Sequence, residues 1–234
     1  MIKTSLPPIN WNSGILFLVF SALNLFGRYF DYLLLADLSK PLIIPSLFLF
    51  YYMNSERRDR NIFIALVFSL IGDILLIFNG NTYFIIGLLS FLIGQVFYII
   101  FFFPKSKGLT MKYRLLLCLP FLFSYSFLVY LLHNDLGDLL VPILIYGFIL
   151  FAMGLTTVWW GFKELFLKYT RYVVWGAVLF LLSDALLATA MFIGGDKSID
   201  MLVMLTYIFA QGFIIFGIVK NERYELEKKN SIKN

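Results

Sequence analysis

The chain has 234 residues, 61% of them hydrophobic and 14% charged, against about half and about a quarter in an ordinary water-soluble domain. That balance excludes a soluble globular protein, and the net charge of +5 fits loop residues facing anionic headgroups better than it fits nucleic acid. With one cysteine, Cys118, and one histidine, His133, no internal disulfide can form and no metal site built on several histidines is expected.

Residues 1–11, MIKTSLPPINW, carry one lysine and two prolines. The apolar stretch that follows has no small-residue cleavage site, so it is expected to be retained as a first helix. Apolar runs near 20 residues then recur, the length a helix needs to cross about 30 Å of hydrocarbon. They do not alternate as barrel strands would. The expected fold is all-α, a bundle of eight transmembrane helices at 13–33, 35–53, 61–78, 82–103, 113–132, 139–160, 172–193 and 199–220. Short connections and uniform composition predict a single transmembrane domain over 1–220. The tail 221–234, NERYELEKKNSIKN, reads as a charged cytoplasmic surface helix or coil.

Basic residues alternate from side to side. Arg57, Arg58 and Arg60 lie between spans two and three; Lys105, Lys107, Lys112 and Arg114 between four and five; Lys163, Lys168 and Arg171 between six and seven; and Lys220, Arg223, Lys228, Lys229 and Lys233 at the end. The opposite loops hold only Arg28 and Lys197, beside Asp31, Asp135, Asp138, Asp196 and Asp200. Positive-inside bias places both termini in the cytoplasm of a multi-pass protein of the bacterial inner membrane.

Two apolar runs each contain one carboxylate: ALVFSLIGDILL at 65–76 with Asp73, and GAVLFLLSDALL at 176–187 with Asp184. An aspartate at a helix centre costs roughly 2.5 to 3.5 kcal/mol on insertion scales, so such residues face the bundle or a wet cavity and mark a function; the plainer reading is a hydrogen bond that locks helices together. The two runs lie 111 residues apart and run in the same direction, which would suit a parallel repeat of two four-helix halves. Both acids fall in the outer half of the core, and Lys40, in KPLIIP at 40–45, lies near the outer end of the second span. One protonated and one ionised carboxyl supply an acid and a base for a hydrolase, or a relay for a proton-coupled transporter. Pro41 and Pro45 are expected to open or bend the second helix.

Lys40 can pair with a carboxylate, hold a lipid phosphate, or reach the outer headgroups. The remaining candidate site residues are Asn24, Gln95, Tyr98, Tyr146, Tyr207 and Gln211. Buried amides require partners, through an interhelical bond or a cavity; the tyrosines can donate to a substrate or simply pack. No phosphate-cradling glycine loop or serine elbow is present.

The ordered set KPLIIP, ALVFSLIGDILL, GLLSFLIGQVFY, GAVLFLLSDALL and YIFAQ resembles the YhhN and transmembrane-protein-86 family of lysoplasmalogenases over nearly the whole chain. The resemblance implies an eight-helix membrane hydrolase that cleaves the vinyl ether bond of a lysoplasmalogen. The products are a fatty aldehyde and glycerophospho-ethanolamine or glycerophosphocholine. It implies Asp73 and Asp184 as catalytic groups, with Lys40 matching the family's lysine, a lysophospholipid as substrate, membrane lipids as surroundings, and neither metal nor organic cofactor. Where the family usually has histidine, this chain has Gln95. Loss of a titrating group there leaves open a lipid-binding protein without chemistry.

Overall fold

The computed structural model describes residues 6–134, 136–164 and 169–232; Asp135, Lys168 and Lys233 of the charge pattern lie outside them. The described residues form α1 (Asn12–Tyr29), α2 (Leu33–Asn54), α3 (Arg60–Leu75), α4 (Asn81–Phe102), α5 (Met111–Leu132), α6 (Leu140–Lys163), α7 (Thr170–Thr189) and α8 (Lys197–Ile232). Short 3-10 turns at Phe103–Ser106 and Gly137–Leu139 and a π turn at Ala190–Gly194 complete them. Six of the helical segments are long and apolar enough to cross a membrane. α1 and α3, with 18 and 16 residues, fall outside that set, and at 1.5 Å per residue α3 rises only about 24 Å.

Every helix but α5 buries a stripe at helical spacing. On α3 the stripe is Ile62, Ala65, Leu66, Ser69, Gly72 and Asp73; on α7 it is Val173, Gly176, Ala177, Phe180 and Ser183, ending beside Asp184. These stripes pair α1 with α2, α3 with α4 and α7 with α8. α6 packs between α4 and α7, and α8 closes the bundle against α1 and α2. The two halves are packed differently. α5 leans chiefly on α6, and none of its described residues is buried.

α2 runs unbroken through Pro41 and Pro45. The turn after α3 uses Gly80 at φ +121°, a conformation that glycine adopts without Cβ strain. Of the two readings of the tail, helix or coil, the structure has the helix: α8 continues to Ile232, with Asn221, Glu222 and Arg223 buried. Local bonds explain this: Glu222 accepts from the Ser55 hydroxyl at 2.8 Å and from the Arg57 backbone N–H, and Arg57 pairs with Glu225 at 2.8 Å. The α2–α3 connection therefore rests on the end of α8.

α7 and α8 approach closely because glycine lies on both contact faces. A Cβ on Gly176 would stand 2.8 Å from the Ala210 carbonyl oxygen and the Ile214 backbone nitrogen, and one on Gly217 would stand 2.9 Å from the Val173 nitrogen. At Gly212 the nearest atoms belong to the Phe17 ring at 3.2 Å, which can yield. Gly176→Ala and Gly217→Ala should each destabilise the detergent-purified protein by about 1–3 kcal/mol, and Gly212→Ala by less, as read by thermal unfolding.

Candidate functional site

The two aspartates come from helices that pair with different neighbours, and the bundle brings both to the walls of one cavity of about 410 Å³. It lies at the end of the bundle where α1 meets α2, α3 meets α4 and α7 meets α8. Arg28, Lys40, Asp73, Asp184 and Tyr207 line it, with Asp37 and Asp200 toward the exposed rim. The rest of the wall is largely apolar, with Leu76, Phe84, Phe91, Leu187 and Met204. The lining thus combines charged groups with hydrocarbon side chains.

Each aspartate accepts a hydrogen bond from a tyrosine. The Tyr207 hydroxyl, one of the groups facing the cavity, donates to Asp73 at 2.8 Å. The Tyr146 hydroxyl donates to Asp184, and both residues also line an adjoining apolar pocket. Asp73 is 2% exposed, whereas Asp184 is half-buried. A phenol bonded to a carboxylate offsets part of its desolvation and fixes its orientation.

Behind Tyr207 a further layer holds it in place. Gln211, one helical turn along α8, donates through Nε2 to Ser69 Oγ at 3.2 Å and to the Tyr207 hydroxyl oxygen at 3.5 Å, and its Oε1 accepts from Tyr98 at 3.1 Å. Tyr98 and Gln211 therefore stand behind the cavity wall and do not line it. Asn24 likewise does not line the cavity. Its Nδ2 donates to the Ala36 carbonyl at 2.7 Å and its Oδ1 accepts from Arg28 Nε at 3.2 Å. Arg28 in turn pairs with Asp200.

Lys40 is 6% exposed, and none of the ion pairs among the described residues involves it. A buried ammonium lining a cavity, without a contact ion pair, is suited to an anionic ligand group such as a phosphate.

Gln95 lies apart from this set. It is buried on the same stripe of α4 as Phe91 and Tyr98, but it does not line the cavity, and its Oε1 has no hydrogen-bond partner among the described residues. Among the candidates, then, Lys40, Asp73, Asp184 and Tyr207 share the cavity; Tyr146 reaches it through Asp184; and Asn24, Tyr98 and Gln211 support it from behind. No group of three or more His, Cys, Asp or Glu side chains among the described residues could hold a metal ion.

Arg28, Asp37 and Asp200 also line the cavity, although charge pattern alone assigns Arg28 and Asp200 to the loops. Their spacing carries the missing signal. Arg28 follows Asn24 by four residues, Asp37 precedes Lys40 by three, and Asp200 precedes Tyr207 by seven, so each shares a helix face with a candidate.

The sequence model described as the YhhN family matches residues 35–218. Mouse lysoplasmalogenase TMEM86B is 36% identical over 160 residues, covering 67% of this chain and 62% of its own length. Bovine lysoplasmalogenase TMEM86A is 31% identical over 187 residues, covering 76% and 74%; human TMEM86A is 30% identical over 198 residues, covering 76% and 75%. The match thus spans less than two thirds of the mouse relative. No solved structure gives a significant match.

The two buried glutamines should behave oppositely when made apolar. Gln211→Leu breaks the bonds to Ser69, Tyr98 and Tyr207 and should lower thermal stability by about 1–3 kcal/mol. Gln95→Leu removes an unpaired acceptor and should leave the melting temperature unchanged or raised.

Proposed function

The chain belongs to the YhhN family, and from that membership we propose that it is a lysoplasmalogenase-like hydrolase that cleaves the vinyl ether bond of a lysophospholipid by aspartate acid–base chemistry. The observation that carries the reading is the shared cavity. Two carboxyls from distant parts of the chain, each held by a tyrosine, face one space beside a buried lysine and an arginine. Relatives named lysoplasmalogenase support the reaction class.

The proposed chemistry needs two carboxyls in complementary states. One, protonated, gives its proton to the double-bond carbon farther from the ether oxygen, and the ether carbon becomes an oxocarbenium ion. The other, ionised, steadies that cation and takes a proton from the attacking water, which leaves a hemiacetal. On collapse, the hemiacetal hydroxyl returns its proton to the first carboxylate, while the second carboxyl protonates the departing glycerol oxygen. One water is consumed, both aspartates return to their starting states, and the products are a fatty aldehyde and the glycerophospho-alcohol. Tyr207 and Tyr146 orient the carboxyls. Lys40 and Arg28 hold the phosphate at the polar end.

In the bilayer this reading places eight spans with both termini in the cytoplasm. α1 and α3 cross where packing against α2 and α4 shields their shorter runs, and the cavity opens toward the outer leaflet. That orientation follows from the basic residues of the 55–60, 105–114 and 163–171 segments. The host membrane would be the inner membrane of a bacterium.

The test is to incubate the purified protein with a lysoplasmalogen and an ester-linked lysophospholipid side by side. Aldehyde from the first and no fatty acid from the second is the expected result. Asp73→Asn and Asp184→Asn should each lower aldehyde release by about 10²–10⁴-fold while leaving yield and melting temperature near wild type. Turnover by either variant at the wild-type rate would overturn the assignment.

A further inference from the structure

Asp184 stands where two spaces meet. It lines the polar cavity with Asp73 and Lys40, and it also lines a narrow apolar pocket enclosed by α4, α5, α6 and α7, where Leu128, Ala185 and Ala188 form part of the wall. Phe84 and Leu187 border both spaces. This second pocket is only about 40 Å³, but it shares Leu128 and Ala185 with a wider groove of about 520 Å³ between α5 and α7. That groove is open to the surroundings of the bundle, since Phe123 and Phe127 of α5 and Leu182 of α7 are exposed along it.

We infer that this path is the chain subsite and the lateral opening of the site: the alkenyl chain lies past Asp184 against Leu128, Ala185 and Ala188 and reaches the bilayer between α5 and α7. The inference rests on the vinyl ether reading given above and adds the route of the chain to it. The fit is chemical. In a lysoplasmalogen the vinyl ether is the boundary between a charged glycerophosphate and a hydrocarbon chain, and Asp184 is the carboxylate at the boundary between a charged space and an apolar one. With phosphate at Lys40 and chain in the apolar pocket, the double bond lies at Asp184. A buried apolar chain is favoured by contact with such walls.

The narrow waist must widen to accept a chain, and α5 is the helix best able to allow it. It packs chiefly on α6 and has no buried residue among those described, so outward displacement breaks little of the core. The apolar groove between α1 and α8, about 380 Å³, includes neither aspartate and shares no lining residue with the polar cavity.

Two chain lengths and one photolabel test the inference. In Ala188→Phe, kcat/KM for an octadecenyl lysoplasmalogen should fall by about tenfold or more, while that for a butenyl analogue, with only two carbons beyond its double bond, should fall far less. Leu128→Ala, which widens the waist, should speed turnover of a chain branched near its middle. Equal losses for both lengths, or no loss for the long one, would overturn the route. A non-cleavable alkyl-ether lysophospholipid with a diazirine at its chain end gives a readout independent of turnover. Labelled peptides from α5 and α7 of the wild-type protein support the inference, and labelling confined to α1 and α8 overturns it. If the wild type labels on α5 and α7 yet releases no aldehyde, the route stands and the proposed reaction fails.

Discussion

Carboxylates inside a hydrocarbon-spanning bundle dominate the organisation of this protein. Each carries a desolvation cost that a single hydrogen bond does not cancel, so both need partners, and the partners must arrive from other helices. Asp73 on α3 takes its bond from Tyr207 on α8, and Asp184 on α7 takes its bond from Tyr146 on α6. Gln211 then ties Tyr207 to Ser69 on α3 and Tyr98 on α4. The same bonds that make the acids tolerable hold α3, α4, α6, α7 and α8 in one arrangement around the cavity. Fold and site are therefore one construction here, and close glycine contacts hold α7 against α8 farther along the two helices.

The eight helices, their order and the two carboxylates inside apolar runs are legible in the sequence, because the hydrocarbon core penalises polar residues so heavily that any interruption of an apolar run stands out. Asp73 and Asp184 are such interruptions. Arg28 and Asp200 are not, since charges at helix ends cost little and look like ordinary loop residues; only their helical spacing from Asn24 and Tyr207 marks them as cavity-facing. Gln95 and Gln211 are alike by composition and depth, yet one bonds to three side chains and the other leaves an acceptor unpaired. Hydropathy contains nothing that separates them. The extension of α8 past Lys220 was equally hidden, because the charged tail is stabilised by specific bonds from Glu222 and Glu225 to the α2–α3 connection and not by an apolar stripe.

The position of Gln95 also bears on the family comparison. The resemblance implies a histidine at this position, and its replacement would be decisive if the residue touched substrate. Here it lies outside the cavity lining, while the carboxylates, their tyrosines and Lys40 are in place. Gln95 is buried in α4 outside that lining, and the proposed chemistry does not use it.

The central claim is that Asp73 and Asp184 face one water-reaching space from the same side of the membrane. In a Cys118→Ser background, cysteines introduced by Asp73→Cys and Asp184→Cys can be probed in oriented membranes with a membrane-impermeant maleimide, and the double variant with a short bifunctional thiol reagent followed by peptide mass spectrometry. Both positions should label from the outer face alone, and the bifunctional reagent should join α3 to α7 within one chain. Labelling of the two from opposite faces, or of neither, with no α3–α7 crosslink, would contradict the claim.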